Sequence, residues 1–172
     1  ALDDAAELPY TPQAKPCSIY LIAYSDSPPV EDAVKGFKEV LEKARLVEGR
    51  DYKLTVLNAQ LDMATLSTMM DAARSANADI VVPYCTPALQ AAIRKLDNMS
   101  IVFSVVANPF LCGAGANSID HKPNVTGISC ESAMNEMASL LHNTFPGAKR
   151  VGTIFTPAES NSVFYREVWA KA

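Results

Sequence analysis

The sequence predicts an α/β fold, a doubly wound parallel sheet with helices on both faces. Three observations carry this. Apolar runs of strand length alternate with stretches whose apolar residues recur at helical spacing. The first run, Cys17–Tyr24 (CSIYLIAY), is continuously apolar, as a strand covered on both faces must be. Prolines, glycines and capping residues fall at the joints: Pro28-Pro29, Gly49, Asp62, Thr86-Pro87 and Pro146-Gly147.

Each element follows in order. Residues 1–16 carry three prolines and several acids without periodicity and read as a linker or extended arm. After the first strand, apolar positions Ala33/Val34, Phe37, Val40/Leu41, Ala44 and Val47 mark a helix over Glu31–Val47, ended by Gly49. Tyr52–Leu57 alternates as a strand. Asp62 opens a second helix striped by Met63, Leu66, Met69/Met70 and Ala73. Asp79–Tyr84 is a third strand. Thr86, as N-cap before Pro87, starts a third helix with Leu89, Ala92/Ile93 and Leu96 on one side. Ser100–Ala107 is a fourth strand, Asn108–Pro123 a loop, and Asn124–Ser129 a fifth strand. Glu131–Phe145 is a fourth helix striped by Met134, Met137 and Leu140/Leu141. Arg150–Phe155 is a sixth strand and Ser160–Ala170 a fifth helix, capped by Ser160 or Asn161. The helix-stripe methionines are expected in the core.

Right-handed crossovers between the first five strands suit the order 2-1-3-4-5. Ligands of such sheets sit at the carboxyl ends of the strands, at the switch point between the first and third. That rule nominates Tyr24–Ser27 and Tyr84–Thr86. The sixth strand and fifth helix stand apart. A lone βα unit cannot bury its own apolar faces, so it extends the first sheet, swaps into another copy, or begins a second lobe.

Composition narrows the function. Of 172 residues, 49% are hydrophobic and 20% charged, an ordinary globular balance. A formal charge of −4 speaks against nucleic acid or an anionic membrane surface as partner. His121 and His142 lie far apart with no metal-ligand spacing around them, so no metal is expected. Cys17, Cys85, Cys112 and Cys130 show no C-x-x-C spacing, and Cys17 is expected to pack as a small hydrophobe rather than in a disulfide. No phosphate-binding glycine loop and no nucleophile elbow occur, so neither a nucleotide cofactor nor a catalytic residue is expected. No apolar run approaches the ~20 residues that span a bilayer. No signal peptide is visible, so the chain is cytoplasmic, already processed or part of something longer.

Three polar clusters lie at strand carboxyl ends. Backbone N–H groups and the hydroxyl at Thr86-Pro87-Ala88 suit a carboxylate, although every helix needs a cap. Tyr24-Ser25-Asp26-Ser27 offers a phenol, two hydroxyls and a carboxylate to an amine or polar head group, or forms a solvated turn. Pro157-Ala158-Glu159-Ser160-Asn161-Ser162 places a glutamate and exposed hydroxyls at the start of the last helix. Tyr24, Tyr84 and Phe110 are candidates for stacking on a ligand or for the core.

Several phrases stand together in order. They are Gly36-Phe37, Glu48-Gly49, Asn58-Ala59-Gln60, Cys85-Thr86-Pro87-Ala88-Leu89-Gln90-Ala91, Ile101–Val106 with Asn108-Pro109, Asn124-Val125-Thr126-Gly127, and Pro157–Ser162. With them the chain from residue 17 onward resembles the ABC-transporter substrate-binding proteins that include tryptophan-binding lipoproteins. The resemblance implies a type I periplasmic-binding fold of two α/β lobes around a cleft. It makes residues 17–129 the first lobe and residues 130–172 the incomplete start of a second. It implies an extracytoplasmic module, membrane-anchored in the parent protein, that binds an amino acid or similar carboxylate and passes it to a membrane permease. Carried over, Thr86 with Cys85 and Pro87 receives the ligand carboxylate. Tyr24, Ser25, Tyr84 and Asn108 line the first lobe, and Glu159, Ser160 and Asn161 face them from the second. The family often has Asp-Pro where this chain has Asn108-Pro109, which removes a negative charge from the cleft. A half-walled cleft implies weak binding unless a missing segment or a domain-swapped second copy completes it. The same fold also serves as the ligand-sensing domain of receptors. A flavodoxin-like enzyme needs a motif the sequence lacks, and a repressor effector domain needs more than residues 1–16 upstream.

Overall fold

The computed structural model describes residues 15–171, so most of the expected arm at 1–16 lies outside the described residues. Five parallel strands form one sheet in the order β2-β1-β3-β4-β5. They are β1 (Cys17–Ala23), β2 (Tyr52–Asn58), β3 (Ile80–Tyr84), β4 (Ser100–Val106) and β5 (Val125–Ser129). The helices are α1 (Pro28–Lys43), α2 (Met63–Ser75), α3 (Thr86–Lys95), α4 (Met134–Thr144) and α5 (Ser160–Lys171).

The period-two alternation of β1 divides the core. Ile19, Leu21 and Ala23 join Val30, Val82 and Tyr84 beneath α1. Ile22 faces the other way, into the larger cluster with Leu66 and Met70 of α2, Leu89 and Ile93 of α3, and Ile101 and Phe103 of β4. Helices therefore cover both faces, as the chain order predicts. Met70 is fully buried and Met69 packs beside it, but Met63 and Met137 are exposed, contrary to their expected place in the core.

Local chemistry sets the helix ends. Helix α1 begins three residues earlier than its apolar stripe suggests, because Pro28 and Pro29 occupy the first turn, where their missing N–H groups cost nothing. It also ends before Val47. Arg45 turns left-handed (φ 57), its N–H bonds the Glu42 carbonyl at 2.8 Å, and the Leu46 N–H reaches the Leu41 carbonyl at 3.0 Å. Asn77 (φ 49) closes α2 with the same pair of bonds. At the start of α2 the Asp62 carboxylate accepts from the Thr65 N–H at 2.6 Å. Gly127 is required at the β4–β5 contact: a Cβ there would meet the Phe103 carbonyl oxygen at 2.2 Å.

The expected sixth strand does not form. Residues 150–155 have no ladder partner, and Val151 and Ile154 stand in solvent. A strand exists only where a neighbour takes up its N–H and C=O groups, and the described residues supply none here. The last helix forms regardless, since its backbone bonds are internal. Neither α4 nor α5 has a buried residue. Among the described residues, no helix is long and apolar enough to cross a membrane.

Candidate functional site

The carboxyl ends of β1, β3 and β4 lie side by side, α3 starts from them and contacts the start of α5, and the backbone is strained there. Cys85, the N-cap of α3, has φ 74 and ψ 156, a region that is relaxed only for glycine. Its N–H bonds the Ser104 carbonyl at 3.3 Å. The next residue of β4, Val105, is β-branched and also left-handed (φ 56), beside a ladder irregularity between Phe103 and Val106. Strain of this kind costs about 1–3 kcal/mol per residue and gathers at binding and catalytic sites.

Thr86 is not the N-cap the sequence suggests. It is the first helical residue, buried at 5% exposure, and Cys85 takes the cap position without a side-chain cap bond. The first turn of α3 thus presents N–H groups with no side-chain acceptor on the cap, and Pro87 has none to present. Beside it, Ser25 of the β1 loop lies close enough to the Cys85 thiol to act on its ionisation. Burial raises the thiol pKa most, the Ser25 hydroxyl opposes this, and the Glu159 carboxylate adds to the rise. Cys85 therefore lies within electrostatic reach of both Ser25 of the β1 loop and Glu159 of the α5 start.

A second contact joins α3 to α5. Gln90, one turn beyond Thr86, donates from Nε2 to Ser160 Oγ at 3.0 Å. In the sequence Gln90 belongs to a phrase of the resemblance and not to the nominated site residues. Its spacing from Thr86, i to i+4, puts both on one helix face and was the available signal. Neither Ser160 nor Asn161 caps α5. The Glu159 carbonyl accepts the first helical bond, from the Val163 N–H at 3.1 Å, and Ser162 Oγ accepts from the Thr156 N–H at 2.8 Å. The Glu159 carboxylate consequently stands at the positive end of the helix. Asn161 Oδ1 is buried and has no hydrogen-bond partner among the described residues.

Other expected residues have internal partners. Tyr84 is 1% exposed in the core under α1, its hydroxyl donating to the Ala33 carbonyl at 3.4 Å, and burial pushes its pKa up to about 12. Tyr24 donates to the Leu61 carbonyl at 3.0 Å. Asn108 Oδ1 accepts from the Phe110 and Leu111 N–H groups at 3.1 and 3.3 Å, capping the short 3-10 turn Phe110–Cys112. The four cysteines are free thiols. Among the described residues no cluster of three or more His, Cys, Asp or Glu could hold a metal. An open groove of about 550 Å³ lies elsewhere, between α1 and the β1–β2 edge. Its lining includes Leu21, Val30, Glu31 and Val56, and of the residues in the clusters nominated from the sequence only Asp26.

Residues 18–171 match the family described as ABC transporter substrate binding protein. The chain belongs to that family. A tyrosine-binding protein of Clostridioides difficile is 28% identical over 137 residues, covering 80% of this chain and 40% of its own length. Among solved structures, a conserved domain protein of Vibrio cholerae superposes with a TM-score of 0.85 at 23% identity, covering 91% of this chain and 53% of that one. The ABC domain of Streptococcus pneumoniae, solved with L-Trp, gives 0.80 at 20% identity, over 88% of this chain and 51% of that one. The ligand-free, open form of a Clostridium difficile substrate-binding protein with adhesive properties gives 0.72 at 25% identity, over 90% and 52%. These likenesses agree with the periplasmic-binding-protein fold that the resemblance implies. The family consists of binding proteins rather than enzymes. The chain spans about half the length of these relatives.

Proposed function

We propose that the chain is the ligand-binding part of an extracytoplasmic ABC-transporter component, and that it takes an amino acid between the starts of α3 and α5. Residues 17–129 act as the first lobe and residues 130–172 open the second. The observation that carries this reading is the convergence on one spot of the Cys85–Gln90 helix start with Ser25 and with Glu159–Ser160. The N–H groups at the start of α3 receive the carboxylate, aided by the helix dipole. Glu159 and the unpartnered Oδ1 of Asn161 supply acceptors for the ammonium group. Ser25 and Cys85 form the wall between them, with Tyr24, Tyr84 and Asn108 fixing the loops from behind. Relatives named for tyrosine and solved with tryptophan support an amino acid as the ligand. The loaded protein then delivers the ligand to a membrane permease.

Titration calorimetry with L-tyrosine and L-tryptophan tests this. Glu159→Gln removes a charge-assisted partner and should weaken binding at least about tenfold. Thr86→Val should weaken it less. Affinity unchanged in both variants would place the ligand elsewhere.

A further inference from the structure

The segment after β5 is hydrogen-bonded to the sheet unit at two separate points among the described residues. At the first, where the chain leaves the sheet, the Cys130 N–H bonds the Val106 carbonyl at 2.8 Å. Tyr165 of α5 returns there: its hydroxyl accepts from the Ser132 N–H at 2.9 Å and donates to the Cys130 carbonyl at 3.4 Å. This is a pivot, since all its partners lie within a few residues of the crossing. The second point is the Gln90–Ser160 bond, at the opposite end of the same stretch of α5. Between the pivot and this bond, residues 161–164 of α5 are half-buried and none is fully buried.

We infer that Gln90 is a positioning residue, whose bond to Ser160 latches the start of α5 onto α3 and sets Glu159 and Asn161 beside the ligand's place. The inference rests on the amino-acid site proposed above for its consequence, but the latch itself does not require a ligand. Ser160 is flanked by the two residues that need positioning, Glu159, whose carboxylate acts on Cys85, and Asn161, whose Oδ1 is buried without a partner. A latch made by the neighbour of both fixes both with a single hydrogen bond. Without it, the pivot still tethers α5, and the wall swings. Affinity then falls by the fraction of time the wall spends in place.

The test is amide hydrogen exchange on the ligand-free chain, followed by titration with L-tyrosine. Gln90→Met keeps the length and helix preference of the side chain and removes its N–H donor; Ser160→Ala removes the acceptor. Each should speed exchange of the amides at residues 160–165 roughly two- to tenfold, the range one net hydrogen bond supports. Amides of α2 and the global unfolding midpoint should not move. The double variant should match either single one, since both remove the same bond. L-tyrosine affinity should fall by a similar factor. Unchanged exchange in both single variants, or fully additive effects in the double, would overturn the latch. Failure of the wild-type chain to bind L-tyrosine or L-tryptophan would instead count against the amino-acid site, and the exchange result would still decide the latch.

Discussion

Helices α3 and α4 carry the same kind of apolar stripe and meet different fates. Leu89, Ala92 and Leu96, along and just beyond α3, are fully buried against the sheet. Met137 and Leu140 of α4 are more than half exposed, and α4 buries nothing. The stripe is a local property of the sequence, whereas burial needs a facing surface. The sheet unit has that surface, built from five strands in register. Helix α4 has none, and the strand expected at 150–155 has no neighbour to pair with among the described residues. Helices survive without tertiary partners more readily than strands do, since their hydrogen bonds close within the element. The sheet unit is therefore the stable scaffold, and the trailing segment is a wall that depends on contacts with it.

The largest effects should fall in the scaffold. Leu89→Ala opens a cavity in the α2–α3 core and should cost about 2–5 kcal/mol, read from denaturant unfolding. Next comes the close approach of β4 and β5. Gly127→Ala would press a methyl onto the Phe103 carbonyl and should cost more than about 1 kcal/mol by the same measurement.

A smaller effect depends on pH. The hydrogen bond from Lys95 holds the Asp71 carboxyl below its ordinary value of 3.8, with the charges of Lys95 and Arg74 adding to this against a desolvation cost. Lys95 Nζ lies at 2.5 Å and Arg74 at 2.7 Å, so the carboxylate ties α2 to α3. A carboxyl depressed in the folded state stabilises above its unfolded pKa and loses that contribution as pH falls through the folded value. Asp71→Asn should lower Tm near neutral pH, and the gap from wild type should close as pH drops below 3.8.

The smallest effect sharpens the contrast. Leu140→Ala, at a position 67% exposed, should change stability by no more than about 0.5 kcal/mol. If it costs as much as Leu89→Ala, the trailing segment has a packing partner that its exposure does not reveal.

The sequence made the scaffold legible because its signals were local and repeated. The observed strands β1–β5 lie within a residue of their expected ends, and chain order alone indicated the order of the sheet. Errors arose where a local signal had two meanings. Pro28-Pro29 marks a joint ahead of the apolar stripe and forms the first turn of α1. Thr86 read as a cap because threonine usually is one; the structure gives that place to a strained Cys85, which no propensity favours. Met63 and Met137 fit their stripes yet face solvent, since a stripe says nothing about what lies opposite. At the candidate site the residue types could be read from strand ends, but their contacts could not. The Gln90–Ser160 bond spans 70 positions, and Asn108 spends its side chain capping its own turn.

The central claim is that a ligand sits between the starts of α3 and α5. Two-dimensional NMR of the isotope-labelled chain, titrated with L-tyrosine to millimolar concentration, tests it most directly and tolerates weak binding. Saturable shifts concentrated at Ser25, Cys85–Leu89 and Glu159–Ser162 are expected. Shifts confined to the groove between α1 and β2, or no shifts at all, would contradict it.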